Sequence, residues 1–220
     1  MPNSSQEIRR EIFTAKNKTL AELHNVDYEK IGLGDFGKPG NYFARQISRW
    51  TKQYRDSETT DIPSMNNLID WLPNNLPREK PTRLVHGDFS LSNVIINNEN
   101  NEVASILDWE LSTLGDPVAD FSYHCLQYFM NPILTDENKC EELNIPNLKE
   151  YVALYMKNSE FDISDDEWNT YMGFSMFKLA AICQGITGRV RDGTAAGKDA
   201  EKFMDQTIGL SNFGWTLIQQ

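Results

Sequence analysis

In the stretch LVHGDFSLSNVIINNENNEVASILDWELSTLGDPVAD, residues 84 to 120, Asn93 and four acids (Asp88, Asp108, Glu110 and Asp116) fall at chain junctions. His86 stands beside the first of them and Asp120 closes the stretch. The amide carbonyl of Asn93 and the carboxylate of Asp108 are hard oxygen donors, a set that suits Mg²⁺, which keeps several waters and takes few protein ligands. Asp88, five residues before Asn93 on the same loop, is then left to accept a proton from a hydroxyl. One Asp on the nucleophile, with Asn and a second Asp on a metal at the phosphates, is the division of labour of phosphoryl transfer.

This chemistry requires that residues 15 positions apart meet. Val94-Ile95-Ile96 and Val103 to Leu107 are short β-type runs, and Asn97-Asn98-Glu99-Asn100-Asn101 between them is a polar block whose Asn residues favour turns. An antiparallel hairpin over these runs returns the residue after the second strand to the residue before the first, so Asn93 and Asp108 are expected at one end of the ladder. Leu84-Val85 is a further short apolar run ahead of the loop.

His86-Gly87-Asp88-Phe89-Ser90-Leu91-Ser92-Asn93 resembles the H-G-D-x-x-x-x-N loop of the aminoglycoside phosphotransferase and choline kinase group, itself related to the protein-kinase H-R-D loop. Ile106-Leu107-Asp108-Trp109-Glu110 is similar to that group's metal-binding segment, and Gly115-Asp116-Pro117-Val118-Ala119-Asp120 to the G-D-P-x-x-D that follows it. The longer runs LDWELSTLGDPVAD and GLGDFGKPGNYFARQISRWTKQY are most similar to the kinase-like domain fused to some acyl-CoA dehydrogenases and its stand-alone bacterial relatives.

The resemblance implies an α+β, mostly helical fold: the C-terminal lobe of a protein-kinase-like phosphotransferase, with a small catalytic hairpin. It implies Asp88 as catalytic base, Asn93 and Asp108 as ligands of Mg, and ATP as phosphoryl donor. His86 matches a position that packs and hydrogen-bonds within the loop, and Asp120 an acid that braces the loop through its backbone. Glu110 departs from the protein-kinase pattern and is given no direct metal contact. The acceptor would be a small-molecule hydroxyl on an amino sugar, a choline-like compound or a hydroxyacyl-CoA. Relatives place a β-rich nucleotide lobe ahead of the helical one. The residues before His86 read instead as helices and loops, so residues 1–220 are expected to be one domain, the C-terminal lobe, with the N-terminal lobe absent or supplied by a partner chain. A non-catalytic lobe used in binding or regulation is the alternative, and a metal-dependent hydrolase on His86, Asp88 and Asp108 a third.

At 40% hydrophobic and 24% charged, the 220 residues have the composition of a globular protein with a sizeable core. The net charge of −11 disfavours nucleic acid and anionic membranes as partners, since both demand a basic face. Such a charge suits a cationic substrate, although most acidic proteins are simply soluble. Cys125, Cys140 and Cys183 are widely spaced and odd in number, the pattern of a reduced, cytoplasmic protein without a zinc site. No run is long and apolar enough for a signal peptide or a membrane span.

Around the central stretch, periodicity predicts a helix from Ser5 to His24, with His24 packed or capping. Gly32-Leu33-Gly34-Asp35-Phe36-Gly37 satisfies G-x-G-x-x-G but lacks a preceding strand and a following helix or lysine-bearing strand, so it reads as a structured surface loop. Further helices are expected over 42 to 55, with a stripe of Phe43, Ile47, Trp50 and Tyr54, and over 63 to 72, 117 to 130 and 146 to 158, the last with Leu148, Val152 and Tyr155 on one face. Ser164 opens a helix expected to reach about Gly185. Residues 185 to 197, with Arg189 and Arg191, read as a Gly-rich loop, either substrate-side or an ordinary solvated connection. A final helix is expected over 200 to 218.

Overall fold

The computed structural model of the chain describes residues 4–194 and 200–220. It is mostly helical with four short strands among those residues, and its backbone divides into two compact units, Met1–Gly40 with Lys80–Ile163 and Asn41–Glu79 with Ser164–Gln220.

In the first unit, helix α1 (Gln6–Asn25) is capped by Ser5, whose hydroxyl accepts from the Ile8 N–H at 3.3 Å. Its buried stripe of Ile12, Phe13, Leu20 and Leu23 faces α7 (Leu148–Asn158). Asn147 and Glu150 start α7 as a capping box, each side chain bonded to the other's backbone N–H. On α7 the fully buried residues are Tyr151 and Tyr155, while Leu148 and Val152 are only half-buried. The predicted face is therefore rotated toward Tyr151, because the ring packs among Phe13, Phe121 and Tyr128.

Strand β1 (Arg83–Val85) precedes the loop, β2 (Val94–Ile96) follows it, and β3 (Val103–Ile106) returns antiparallel with Val94 opposite Ile106. The predicted hairpin is thus present, with a register irregularity between Ile95 and Ile96. Strand β4 (Thr113–Gly115), which periodicity does not reveal, pairs with β1 so that Leu84 lies opposite Leu114. The glycine-rich run lies in turns with no strand before it. Its last glycine has a packing reason: a Cβ on Gly37 would lie 2.5 Å from Thr113 Oγ1 and 2.7 Å from Leu114 N. The predicted helix over 117 to 130 is two, α4 (Pro117–Cys125) and α5 (Gln127–Met130), parted where the Leu126 N–H turns back to the Tyr123 carbonyl. A short α6 (Glu137–Glu142) follows.

The second unit contains α2 (Tyr42–Ser57), α3 (Pro63–Trp71), α8 (Asp165–Arg191) and α9 (Ala200–Leu217). The predicted stripe of Phe43, Ile47, Trp50 and Tyr54 is the buried face of α2, and Phe43 meets Tyr171 and Phe174 of α8 edge-on. Helix α8 does not end near Gly185. It runs on through Arg191 because its last turns are fastened to the end of α2: Gln184 Nε2 donates to the Ser57 carbonyl at 2.7 Å and to Thr59 Oγ1 at 3.0 Å, and Arg191 donates to the Glu58 carbonyl at 3.0 Å. Arg189 and Arg191 are therefore in the last turn of a helix, not on a loop, and Arg191 is paired with Asp192. Residues 195 to 197 of the predicted loop lie outside the described residues. Among the described residues no helix is long and apolar enough to cross a membrane, and Cys125, Cys140 and Cys183 are buried and free.

Candidate active site

The loop between β1 and β2 is held from beneath by the start of α4. Asp116 caps that helix, accepting from the Val118 and Ala119 N–H groups at 2.8 and 3.0 Å. One turn on, Asp120 accepts from the backbone N–H of His86 with one oxygen and of Gly87 with the other, both at 2.8 Å. Its side chain is 2% exposed. Burial pushes its pKa up, but the hydrogen bond and field of His24 and the two loop amides outweigh this and hold it below the usual carboxylate range. Asp120 is thus an ionised anchor for the loop backbone. Gly87 has φ +84°, and a Cβ there would sit 2.6 Å from the Leu111 carbonyl oxygen, so the turn demands glycine.

His86 is fully buried, and both its ring nitrogens are occupied. Nε2 lies 2.8 Å from the Leu107 carbonyl and Nδ1 lies 3.3 Å from the Asp88 N–H. A ring protonated at Nε2 donates to the first and accepts from the second, which ties Asp88 to the residue preceding Asp108. Asn93 Nδ2 donates to the Asp88 carbonyl at 2.9 Å and to its carboxylate Oδ2 at 3.3 Å. The Leu107 N–H donates to the Asn93 carbonyl at 2.8 Å, closing the ladder between the two predicted ligand residues. Asp108 is exposed and takes the left-handed conformation, φ +63° and ψ +60°, which Asp tolerates better than most residues.

Asp88, Asn93, Asp108, His86 and Asp120 thus all belong to one contiguous arrangement. With its nitrogen committed to Asp88, Asn93 has its amide oxygen to offer a cation, alongside the solvent-facing carboxylate of Asp108. That hard-oxygen pair suits Mg²⁺, which needs no dense cage of protein ligands. Among the described residues no three His, Cys, Asp or Glu side chains cluster as a metal cage. Glu110 is exposed on the turn Trp109–Leu111.

Three residues of the arrangement escape motif reading. His24, expected only to pack or cap, lies with Nε2 3.2 Å from Asp120 and Nδ1 2.7 Å from the Tyr155 hydroxyl. Burial and the nearby carboxylates push Tyr155 well above its usual pKa, so its O–H stays protonated and donates to the ring. His124, four residues after Asp120 on α4, lies 2.7 Å from the Phe89 carbonyl. The only local signal was the Asp-x-x-x-His spacing, which puts both side chains on one helix face.

The match to the phosphotransferase enzyme family model covers residues 2–140, and the chain belongs to that family. A crystal structure of an aminoglycoside phosphotransferase assigned in Ralstonia eutropha JMP134 is 42% identical and superposes with a TM-score of 0.90, over all of this chain and 68% of that one. The chain is also 44% identical to mouse (Mus musculus) acyl-CoA dehydrogenase family member 10 over 98% of its length, and 34% identical to human (Homo sapiens) family member 11 over its full length. It spans only 20% and 29% of those two relatives.

Proposed function

We propose that the chain is the catalytic, helical lobe of an ATP-dependent phosphotransferase that transfers the γ-phosphoryl group to a small-molecule hydroxyl with Mg²⁺. The observation that carries this reading is the Asn93 side chain, bonded to the Asp88 carboxylate on one side while its backbone carbonyl is stapled to Leu107, next to Asp108. Asp88 accepts the proton of the acceptor hydroxyl, and Asn93 Nδ2 orients the accepting carboxylate. Asn93 Oδ1 and the Asp108 carboxylate would hold the metal. Mg²⁺ and ATP, when bound, supply the electrophilic phosphoryl group with its charge neutralised. His86 and Asp120 fix the loop and do not react. The likeness to acyl-CoA dehydrogenase family members supports a hydroxyacyl-CoA as acceptor, ahead of an amino sugar or a choline-like alcohol.

Calorimetry of Mg²⁺-dependent ATP binding, repeated on Asp108→Ala, tests the metal-nucleotide site. Phosphate release with Asp88→Asn as control tests transfer. Binding lost in the first variant and release lost in the second, with folding retained, are the expected results. Equal background release by wild type and Asp88→Asn would favour the second reading, a lobe that binds or regulates without catalysis.

A further inference from the structure

The Asp88–Asn93 loop is fastened at its start by Asp120, but its middle is fastened by a residue to which no role has been given. His124 is 6% exposed and its ring lies among Phe89, Phe121 and Tyr151. Nδ1 lies 2.7 Å from the Phe89 carbonyl, while Nε2 is met by the Tyr151 hydroxyl at 2.9 Å and the Gln127 amide nitrogen at 3.1 Å. The orientation of that amide is set in turn, since Gln127 Oε1 accepts from the buried ammonium of Lys16 at 3.3 Å. With Oε1 committed to Lys16, only N–H groups of Gln127 can face His124, so Nε2 must be the acceptor and Nδ1 must carry the proton.

We propose that His124 is a positioning residue of the phosphotransferase loop, held in its Nδ1–H form by Lys16 through Gln127 so that it always donates to Phe89. This rests on the function proposed above. Asp120 and His124, one helical turn apart on α4, then grip the loop through both polarities: one accepts from the amides of residues 86 and 87, and the other donates to the carbonyl of residue 89. The residue gripped by His124 is adjacent to Asp88. Burial, with the Lys16 charge behind it, lowers the His124 pKa to about 3 and so keeps the ring neutral across the working pH range. Losing the grip should loosen Asp88, the proton acceptor, and with it Asn93, whose side-chain amide is bonded to it.

The ring-nitrogen shifts of His124 in the folded wild-type chain, measured by ¹⁵N NMR, should show the Nδ1–H tautomer; an Nε2–H ring overturns the proposal. His124→Phe keeps the ring contacts and removes the donor, whereas His124→Asn restores a donor near the Nδ1 position. In His124→Phe the Asn93 amide, which donates to the Ser90 carbonyl at 3.1 Å, should exchange with deuterium about tenfold faster, the effect of losing one hydrogen bond. The kcat for phosphate release should fall, because the interaction holds the loop that carries Asp88. His124→Asn should recover both. Wild-type exchange in a folded His124→Phe overturns the proposal. Should that variant not fold, the tautomer of the wild type decides alone. Absence of phosphate release from the wild type would sink the proposed function while the exchange rates still judge the grip.

Discussion

Replacing Asp120 by Asn removes one charge and reverses one hydrogen-bonding group at the best-connected point of the site. The carboxylate accepts the His86 and Gly87 amides on separate oxygens and a third bond from His24. An Asn oxygen can serve one amide, but its NH₂ then opposes the other, leaving two donors facing each other in a site that water does not reach. A hydrogen bond to a charged group contributes about 1.5–3 kcal/mol, and a stranded buried donor costs about 1–3 kcal/mol. The expected loss is about 3–5 kcal/mol at pH 7, a large share of the ~5–15 kcal/mol that holds a typical protein folded. Urea unfolding of wild type and Asp120→Asn measures it. Because the folded pKa of Asp120 is below the unfolded value near 3.9, its contribution is complete above that pH and disappears as pH falls through the folded value. The gap between the two proteins should therefore be flat from neutral pH to about 4 and narrow below it. A loss under about 1 kcal/mol at pH 7, or a gap that persists into strong acid, would refute this account of the anchor.

Asp108→Asn should retain wild-type circular dichroism, since Asn also tolerates the left-handed backbone, yet lose Mg²⁺-dependent ATP binding in calorimetry. Gly37→Ala should lower the urea midpoint by driving a methyl against β4, while Gly34→Ala, with nothing within 4 Å of the added carbon, should leave it within about 0.5 kcal/mol of wild type. Burial holds Lys16 at about 8 in the folded chain, against roughly 10.4 unfolded. The unfolded state therefore binds more protons between those values, so stability rises with pH there. Relative to Lys16→Met, wild type should gain on the order of 2–3 kcal/mol between pH 7 and pH 10, read from the same unfolding titrations.

What was legible in the sequence was what short-range pattern determines. The α2 stripe follows from apolar spacing alone, and the hairpin from two β-type runs about an Asn-rich turn. That turn is also what brings Asn93 and Asp108 to one end of the ladder. Thr113–Gly115 could not be read as a strand, because three residues carry no periodicity and their partner, β1, lies about 30 positions earlier. The continuation of α8 past Gly185 depends on contacts with α2 that local propensity disfavours and tertiary bonding overrides. His24 and His124 were visible as residues but not as parts of the site, since each acts through a partner distant in sequence: Asp120, 96 positions from His24, and Phe89, 35 positions from His124.

The bond from Leu107 N–H to the Asn93 carbonyl makes the hairpin a lever with its fulcrum at the end that carries Asn93 and Asp108. Its register is fixed there, whereas the tip at residues 97 to 101 lies about 10 Å away along three residues of strand and is exposed over residues 98 to 100. Residues 98 to 100 can therefore carry a probe far from Asn93 and Asp108, while Asn101 ties the far side of the turn to Glu11 at 2.8 Å. A spin label on a cysteine at position 98 would test whether the cation proposed above, on reaching Asn93 and Asp108, moves the hairpin. It would read the proposed cation from a position that takes no part in holding it.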